Sequence, residues 1–288
     1  MFSQELQADW DNAQQSIEKG KSIMASQKPV ALVTGASSGI GQATAELLAA
    51  QGFTVFGTSR TPIQDTRSYT WLPLDVRSED SVQAAVQSLL AQAGRIDLLV
   101  NNAGYVQVGA IEESSVADAQ AQLDTNLLGV IRMVKAVLPV MRQQGLGRII
   151  NISSIVGHVA APHFGLYATS KFALEGLSEA LREEVRPFGV SVSLIEPSYV
   201  NTPIVSQPPT NPIAAYTNAR QAAQQAFMTS SKNGMEPGAV ARAILRAATT
   251  TRPRLRYPVG QDGKALLLLK RLLPESAFEA LKRRLFSA

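Results

Sequence analysis

The 288-residue sequence predicts an α/β protein: a doubly wound parallel sheet of seven strands with helices on both faces. Three observations predict it. Short apolar runs alternate with helical patterns from residue 29 onward. Several of the runs are apolar on both faces, as parallel strands covered on both sides must be. The chain is 45% apolar and 17% charged, which suits one α/β domain with a sizeable core.

In chain order, strands are expected at VALVT (30–34), TVFGTS (54–59), YTWLPLD (69–75), DLLVNN (97–102), RIINIS (148–153), SVSLIE (191–196) and RLRYPV (254–259). The helix after Gly109, taken as 116–143, carries Leu123, Leu127, Val130, Val134, Val137 and Met141. Their steps of three and four mark one buried stripe. A second helix, 167–186, carries Leu174, Leu177, Leu181 and Val185 and is ended by Pro187 and Gly189. Strand, helix, strand, repeated, is the pattern of a doubly wound sheet. The domain is drawn at 28–262.

Three segments stand outside this alternation. Residues 1–27 read as a polar extension without the apolar stretch of a secretory signal, and Met24 is an alternative start. Residues 199–236 are rich in Pro, Asn, Ser and Thr and follow the sixth strand, where a substrate lid would sit. Residues 263–288 are apolar and basic by turns. They suit a lid helix, a subunit contact or a helix lying on a membrane surface, with lid or subunit packing preferred.

Charge and composition exclude several classes. A net charge of +4 with scattered basic residues argues against nucleic-acid binding. With no cysteine, neither a disulfide framework nor a thiolate metal site is available. His158 and His163 are the only histidines, so no metal site is expected. No run reaches the ~18 apolar residues of a membrane span. A cytoplasmic location is the expectation.

The first strand runs into TGASSGIG (34–41) and then a helical pattern. Gly35, Gly39 and Gly41 permit a tight turn and close approach of a pyrophosphate. The following helix would present free N–H groups and its positive end to that charge. With the strand before it and the helix after it, the loop of Gly35, Ser37, Ser38, Gly39, Ile40 and Gly41 reads as a dinucleotide cradle. At the end of the second strand a carboxylate would accept from a free ribose 2′-hydroxyl, whereas an arginine suits a 2′-phosphate. This chain has Ser59 and then Arg60, whose planar fork suits phosphate. NADP(H) is favoured over NAD(H).

Tyr167 and Lys171 stand at i and i+4, on one helix face. A phenol with ordinary pKa about 10 needs a drop of roughly 3 units to act as a base near neutrality. An ammonium about 4 Å away supplies roughly 4 kcal/mol, which is sufficient. The expectation is therefore a phenol made acidic by Lys171. Ser154 would bind and polarise a carbonyl oxygen.

At these motifs the chain resembles the short-chain dehydrogenase/reductase family, with its Rossmann-type fold. The matches are TGASSGIG (34–41), LDV (74–76), NNAG (101–104), Asn126 in LDTNLLG, NISS (151–154), YATSK (167–171) and EPSYVNT (196–202). The resemblance implies that Asn126, Ser154, Tyr167 and Lys171 form the catalytic set, with Asn126 anchoring a water-linked proton relay. It further implies that Asp75 and Val76 flank the adenine, that Asn102, Ala103 and Gly104 line the cofactor cleft, and that Pro197 and Thr202 meet the nicotinamide end. Lys171 would also hold the nicotinamide ribose. Pro197-Ser198 departs from the family's usual Pro-Gly, which is expected to shift the nicotinamide pocket slightly. The run YATSKFALEGLSEALREE and the long tail look most like the 17-beta-hydroxysteroid and retinol dehydrogenase-like branch.

The resulting expectation is an NADP(H)-dependent oxidoreductase interconverting a carbonyl and an alcohol on a moderately hydrophobic steroid-, retinoid- or lipid-like substrate. Two alternatives stand beside it: a 3-oxoacyl-thioester reductase, and a non-catalytic NADP(H)-sensing protein. The resemblance also implies a homodimer or homotetramer formed through helices 116–143 and 167–186.

Overall fold

Apolar residues on alternate sides of the same strands dictate the layering. In the computed structural model, which describes residues 28–61 and 67–286, seven strands pair in parallel. They are β1 (Val30–Val33), β2 (Thr54–Ser59), β3 (Thr70–Pro73), β4 (Leu98–Asn101), β6 (Gly147–Ile152), β7 (Val190–Pro197) and β9 (Arg256–Val259), in the order β3-β2-β1-β4-β6-β7-β9. Two short strands, β5 (Val106–Gln107) and β8 (Ser206–Gln207), form a separate parallel pair. All seven expected strands are present. The polar extension 1–27 and the alternative start Met24 lie outside the described residues.

Each face of the sheet has its own core. Leu32, Leu99, Ile149 and Val192 point to one side. There they meet α2 (Glu79–Ala93), α4 (Gly129–Gln144) and α5 (Gly165–Val185), through Leu89, Met133 and Leu174. Val33, Val100, Ile150 and Ile195 point to the other side. They meet α1 (Gly39–Ala50) and α7 (Pro237–Thr249), through Leu48 and Ile244. Fully burying one such side chain contributes about 1.5–3 kcal/mol, so both layers hold the sheet in place.

The expected helix 116–143 is not continuous. It is α3 (Val116–Leu123), a π-helical turn over Asp124–Leu128, and then α4. The cause is a side chain. The buried Asn126 amide accepts from Tyr105 N–H at 3.1 Å and donates to Tyr105 C=O at 3.0 Å. Holding that residue inward takes up the extra residue of the wider turn. Such turns mark functional positions.

The 199–236 segment is more structured than a Pro- and Ser-rich lid loop. It holds β8 and a sixteen-residue helix, α6 (Thr217–Lys232). The C-terminal segment forms α8 (Gln261–Leu272) and α9 (Glu275–Phe286). The Ser198 hydroxyl donates to Asp262 at 2.7 Å in the first turn of α8. Ser198 does so with an ordinary backbone, His163 being the one described non-glycine residue with a positive φ, at 64°. Serine in place of glycine here ties the end of β7 to α8.

Candidate active site

The sheet order reverses between β1 and β4, and doubly wound sheets bind ligands beyond the strand ends at that reversal. Here those ends carry the motifs. The glycine loop follows β1, Asn102-Ala103-Gly104 follows β4, Ser153-Ser154 follows β6 and Pro197 closes β7. One side chain braces the reversal. The Thr34 hydroxyl accepts from the backbone N–H of Asn102 at 2.9 Å and of Ala103 at 3.0 Å. The Asn102 amide in turn donates to the carbonyls of Thr34 and Gly35, both at 3.0 Å.

The glycine loop fits a pyrophosphate. Ser37 and Ser38 are exposed, and Ser38, the residue before α1, makes no side-chain cap to the helix. The first N–H groups of α1 therefore keep no side-chain acceptor of their own, which is what an anion requires. Gly41 is packed so closely that a Cβ would stand 2.2 Å from the Gly35 carbonyl oxygen and 2.5 Å from the Asn102 amide nitrogen. Gly39, at φ 57°, faces Thr202. Gly41→Ala is expected to displace the loop and weaken dinucleotide binding about tenfold or more, since overpacking of this kind costs about 1–3 kcal/mol. Equilibrium titration with NADPH and NADH measures it; unchanged affinity would contradict the cradle.

The other positions named for the cofactor are distributed as follows. Arg60 is exposed at the end of β2. It lies close enough to Asp75 to help hold that carboxyl below its ordinary value, the Arg77 hydrogen bond being the main cause. Arg77 grips Asp75 with contacts of 2.6 to 3.2 Å, so the Asp75 carboxylate is committed to an arginine. Val76 is buried against Gly129. Ile40, Asn102, Gly104, Pro197 and Thr202 line one cavity together with Asn126, Ser154, Tyr167 and Lys171.

Around the four catalytic candidates the geometry is dense. Tyr167 lies in the first turn of α5, and Ser154 lies just beyond β6. The Ser154 hydroxyl stands beside the Tyr167 phenol, near enough to favour its charged form, and donates to the Pro197 carbonyl at 3.4 Å. Ser153 is buried with its hydroxyl unpartnered, so Ser154 is the serine that meets the tyrosine. The Asn126 amide also donates to Ser170 at 3.1 Å, and the Ser170 hydroxyl donates to the Tyr167 carbonyl at 2.7 Å. Asn126 thus joins Tyr105 to the first turn of α5.

The electrostatics correct the sequence expectation. Burial pushes the Tyr167 phenol up to about 12, opposed in part by the Ser154 hydrogen bond. Burial also pulls Lys171 down to about 8, opposed in part by the Glu175 carboxylate one turn on. The Lys171 ammonium donates to the Ile152 carbonyl at 2.7 Å and stands 5.7 Å from the Tyr167 ring centroid. The expectation counted the attraction of ammonium for phenolate but not the loss of hydration by both. In this state the phenol keeps its proton at neutral pH.

Glu175, Glu196 and Arg256 escaped sequence reading, whereas His158 and His163 stand between Ser154 and Tyr167, a stretch placed to border the substrate. Glu175 and the buried Glu196 share Arg256, whose Nε lies 2.9 Å from one carboxylate and 3.5 Å from the other. His158 joins them at 3.1 Å from Glu196. These three acid and imidazole groups lie within metal-ligating distance of one another, and Arg256 shares its single charge among Glu175, Glu179 and Glu196. His163, Phe164, Tyr199 and Phe227 line the cavity. The positions of Tyr199 and Phe227 depend on folding of the 199–236 segment, and no spacing rule marks them.

Comparison with known proteins gives the family. Residues 29–212 match the short chain dehydrogenase family. A 3-ketodihydrosphingosine reductase of Bacteroides thetaiotaomicron is 40% identical over 81% of this chain and 88% of its own. A crystal structure of a short-chain dehydrogenase from Streptomyces avermitilis is 33% identical, covers 90% of this chain and 98% of its own, and superposes with a TM-score of 0.77. A Burkholderia phymatum member in complex with NAD is 26% identical over 85% of this chain and 92% of its own, with a TM-score of 0.73. A metagenomic member in complex with NADP is 28% identical over 80% of this chain and 96% of its own, with a TM-score of 0.64. The chain belongs to the short-chain dehydrogenase/reductase family and is an oxidoreductase of that type.

Proposed function

We propose that this protein is an NADP(H)-dependent reductase interconverting a ketone and a secondary alcohol on a long-chain, lipid-like substrate. The observation that carries the reading is the cavity: about 620 Å³ of largely apolar space, lined by Ser154, Tyr167 and Lys171 and shared with the cofactor positions Asn102, Gly104 and Thr202. Val156, Val159, Phe164, Ile204 and Phe227 supply its walls. Hydrocarbon gains about 0.8 kcal/mol for each buried CH₂, so such walls select a chain over a small polar carbonyl. The name of the 40% identical reductase, which acts on a keto lipid, supports the same class. That reading is preferred over the steroid- and retinoid-like branch.

When bound, the nicotinamide exchanges hydride with the carbonyl carbon. The chain's own residues do the rest. Ser154 hydrogen bonds the substrate oxygen and holds it beside the phenol. Tyr167 gives that oxygen its proton. Lys171, anchored on Ile152, places a positive charge beside the phenolate left behind. Asn126 keeps the first turn of α5 in register with Tyr105. The helical roof of α6 encloses the cavity, which favours a free lipid over a carrier-linked thioester.

The reading is tested by NADPH oxidation with long-chain 3-keto amines, steroid and retinoid carbonyls, and 3-oxoacyl thioesters. Preference for the keto lipids supports it; turnover of thioesters alone contradicts it. For the cofactor, Arg60→Ala is expected to weaken NADPH binding about tenfold or more while sparing NADH, because a charge-assisted contact contributes about 1.5–3 kcal/mol. Equal loss with both cofactors would contradict the assignment of Arg60 to the 2′-phosphate.

A further inference from the structure

The C-terminal helices present a surface that the site does not use. Gly263 and Leu266 of α8 face the cavity. The opposite face carries Lys264, Leu268, Arg271 and Leu272, which fall within one arc of the helix. Leu268 is 57% and Leu272 68% exposed. At the far end of α9, Leu285 is 56% exposed and also borders the cavity. Leu268 and Leu272 stand one turn apart on that face and form an exposed apolar strip between Lys264 and Arg271.

The charges around them have one sign in excess. Residues 261–286 hold Lys264, Lys270, Arg271, Lys282, Arg283 and Arg284 against Asp262, Glu275 and Glu279, a net of three positive charges. Two of the acids are engaged, Asp262 with Ser198 and Glu279 with Lys282. The platform is also anchored rather than loose. Phe278 is buried, Ser198 holds the first turn of α8, and Lys270 hydrogen bonds the His158 carbonyl. No helix among the described residues is long and apolar enough to cross a membrane, so any lipid contact lies along the surface.

We propose that the outer face of α8, with the end of α9, docks on an anionic bilayer. Leucines interleaved with lysine and arginine match its two components: the acyl boundary takes the leucines, and anionic headgroups take the cations. The rim of the cavity, at Leu285, Ile204 and Tyr199, is apolar and 39% or more exposed. The docking rests on α8 and α9 alone and does not require the substrate assignment.

The test is co-sedimentation of the full chain with vesicles of phosphatidylcholine, and with vesicles of phosphatidylcholine and phosphatidylglycerol in equal parts. Binding is expected to the anionic vesicles and to fall as salt rises. Leu268→Ser with Leu272→Ser is expected to lower the bound fraction about tenfold, with the thermal midpoint unchanged to show that the fold is intact. Lys264→Glu with Arg271→Glu, a second and independent variant, is expected to remove the preference for anionic lipid. Absence of binding to either vesicle would overturn the proposal. So would a dimer in solution that the leucine variant dissociates, since the face would then cover a second copy. Sedimentation does not read turnover, so its failure would leave the reading of the active site standing.

Discussion

Tyr167→Phe is expected to lower ketone reduction about a thousandfold while leaving dinucleotide affinity within about twofold, the loss of a positioned general acid costing 10²–10⁴. The phenol is the group that can give the proton. Burial holds it at about 12, so it stays protonated through the neutral range. Ser154, beside it, has the same task of meeting the substrate oxygen, but a serine hydroxyl has no proton to lose near neutrality. Single-turnover kinetics with saturating NADPH measures the effect. A variant as fast as the wild type would remove Tyr167 from the chemistry.

Lys171→Met is expected to separate activity from stability. Turnover should fall about a hundredfold, because a charge close to the developing phenolate contributes about 3 kcal/mol at an effective dielectric of about 20. Stability should move the other way. Lys171 has a folded value of about 8 against 10.5 when unperturbed, so its buried charge costs about 3 kcal/mol at neutral pH. Methionine removes that cost but leaves the Ile152 carbonyl without its donor, returning about 1–3 kcal/mol. The net gain expected at pH 7 is up to about 2 kcal/mol.

The sign of its pH dependence follows from the lowered value. Between about 8 and 10.5 the unfolded chain binds a proton that the folded chain has released. Wild-type stability from this group therefore rises with pH across that window. The advantage of the variant should shrink as pH climbs from 8 toward 10. Urea denaturation of both proteins at pH 7 and pH 10 measures the difference. An advantage that grows with pH would contradict burial as the cause of the shift.

Much of the fold was legible because parallel strands covered on both faces are continuous apolar runs, and several of the seven read that way; the edge strands β3 and β9 carry exposed and half-buried residues and were marked by their place in the alternation. The π-helical turn was not legible. Leu123, Leu127 and Val130 keep helical spacing across it, and the turn depends on Asn126 bonding a residue 21 positions away. Helix α6 was hidden for another reason. Its cavity face is Ala219, Ala223, Ala226 and Phe227, and small residues draw no stripe among glutamines and threonines.

The candidate site divides in the same way. Tyr167 and Lys171 are neighbours on one helix, so their pairing could be read from spacing. Their proton affinities could not, since these depend on how far the cavity walls strip water from both. Likewise His158, Glu175, Glu196 and Arg256 meet only when β7, β9 and α5 have packed together. The Pro197-Ser198 departure was visible in the sequence. Its consequence, a hydrogen bond to Asp262, required the position of α8.

The most direct test is a crystal structure of the protein with NADPH and a slow or inert long-chain ketone. The account predicts the ketone oxygen about 2.6–3.2 Å from both the Tyr167 phenol and the Ser154 hydroxyl, with the chain running along Phe164 and Phe227. A ketone oxygen bound away from the phenol, or a phenol turned from the dinucleotide, would contradict it.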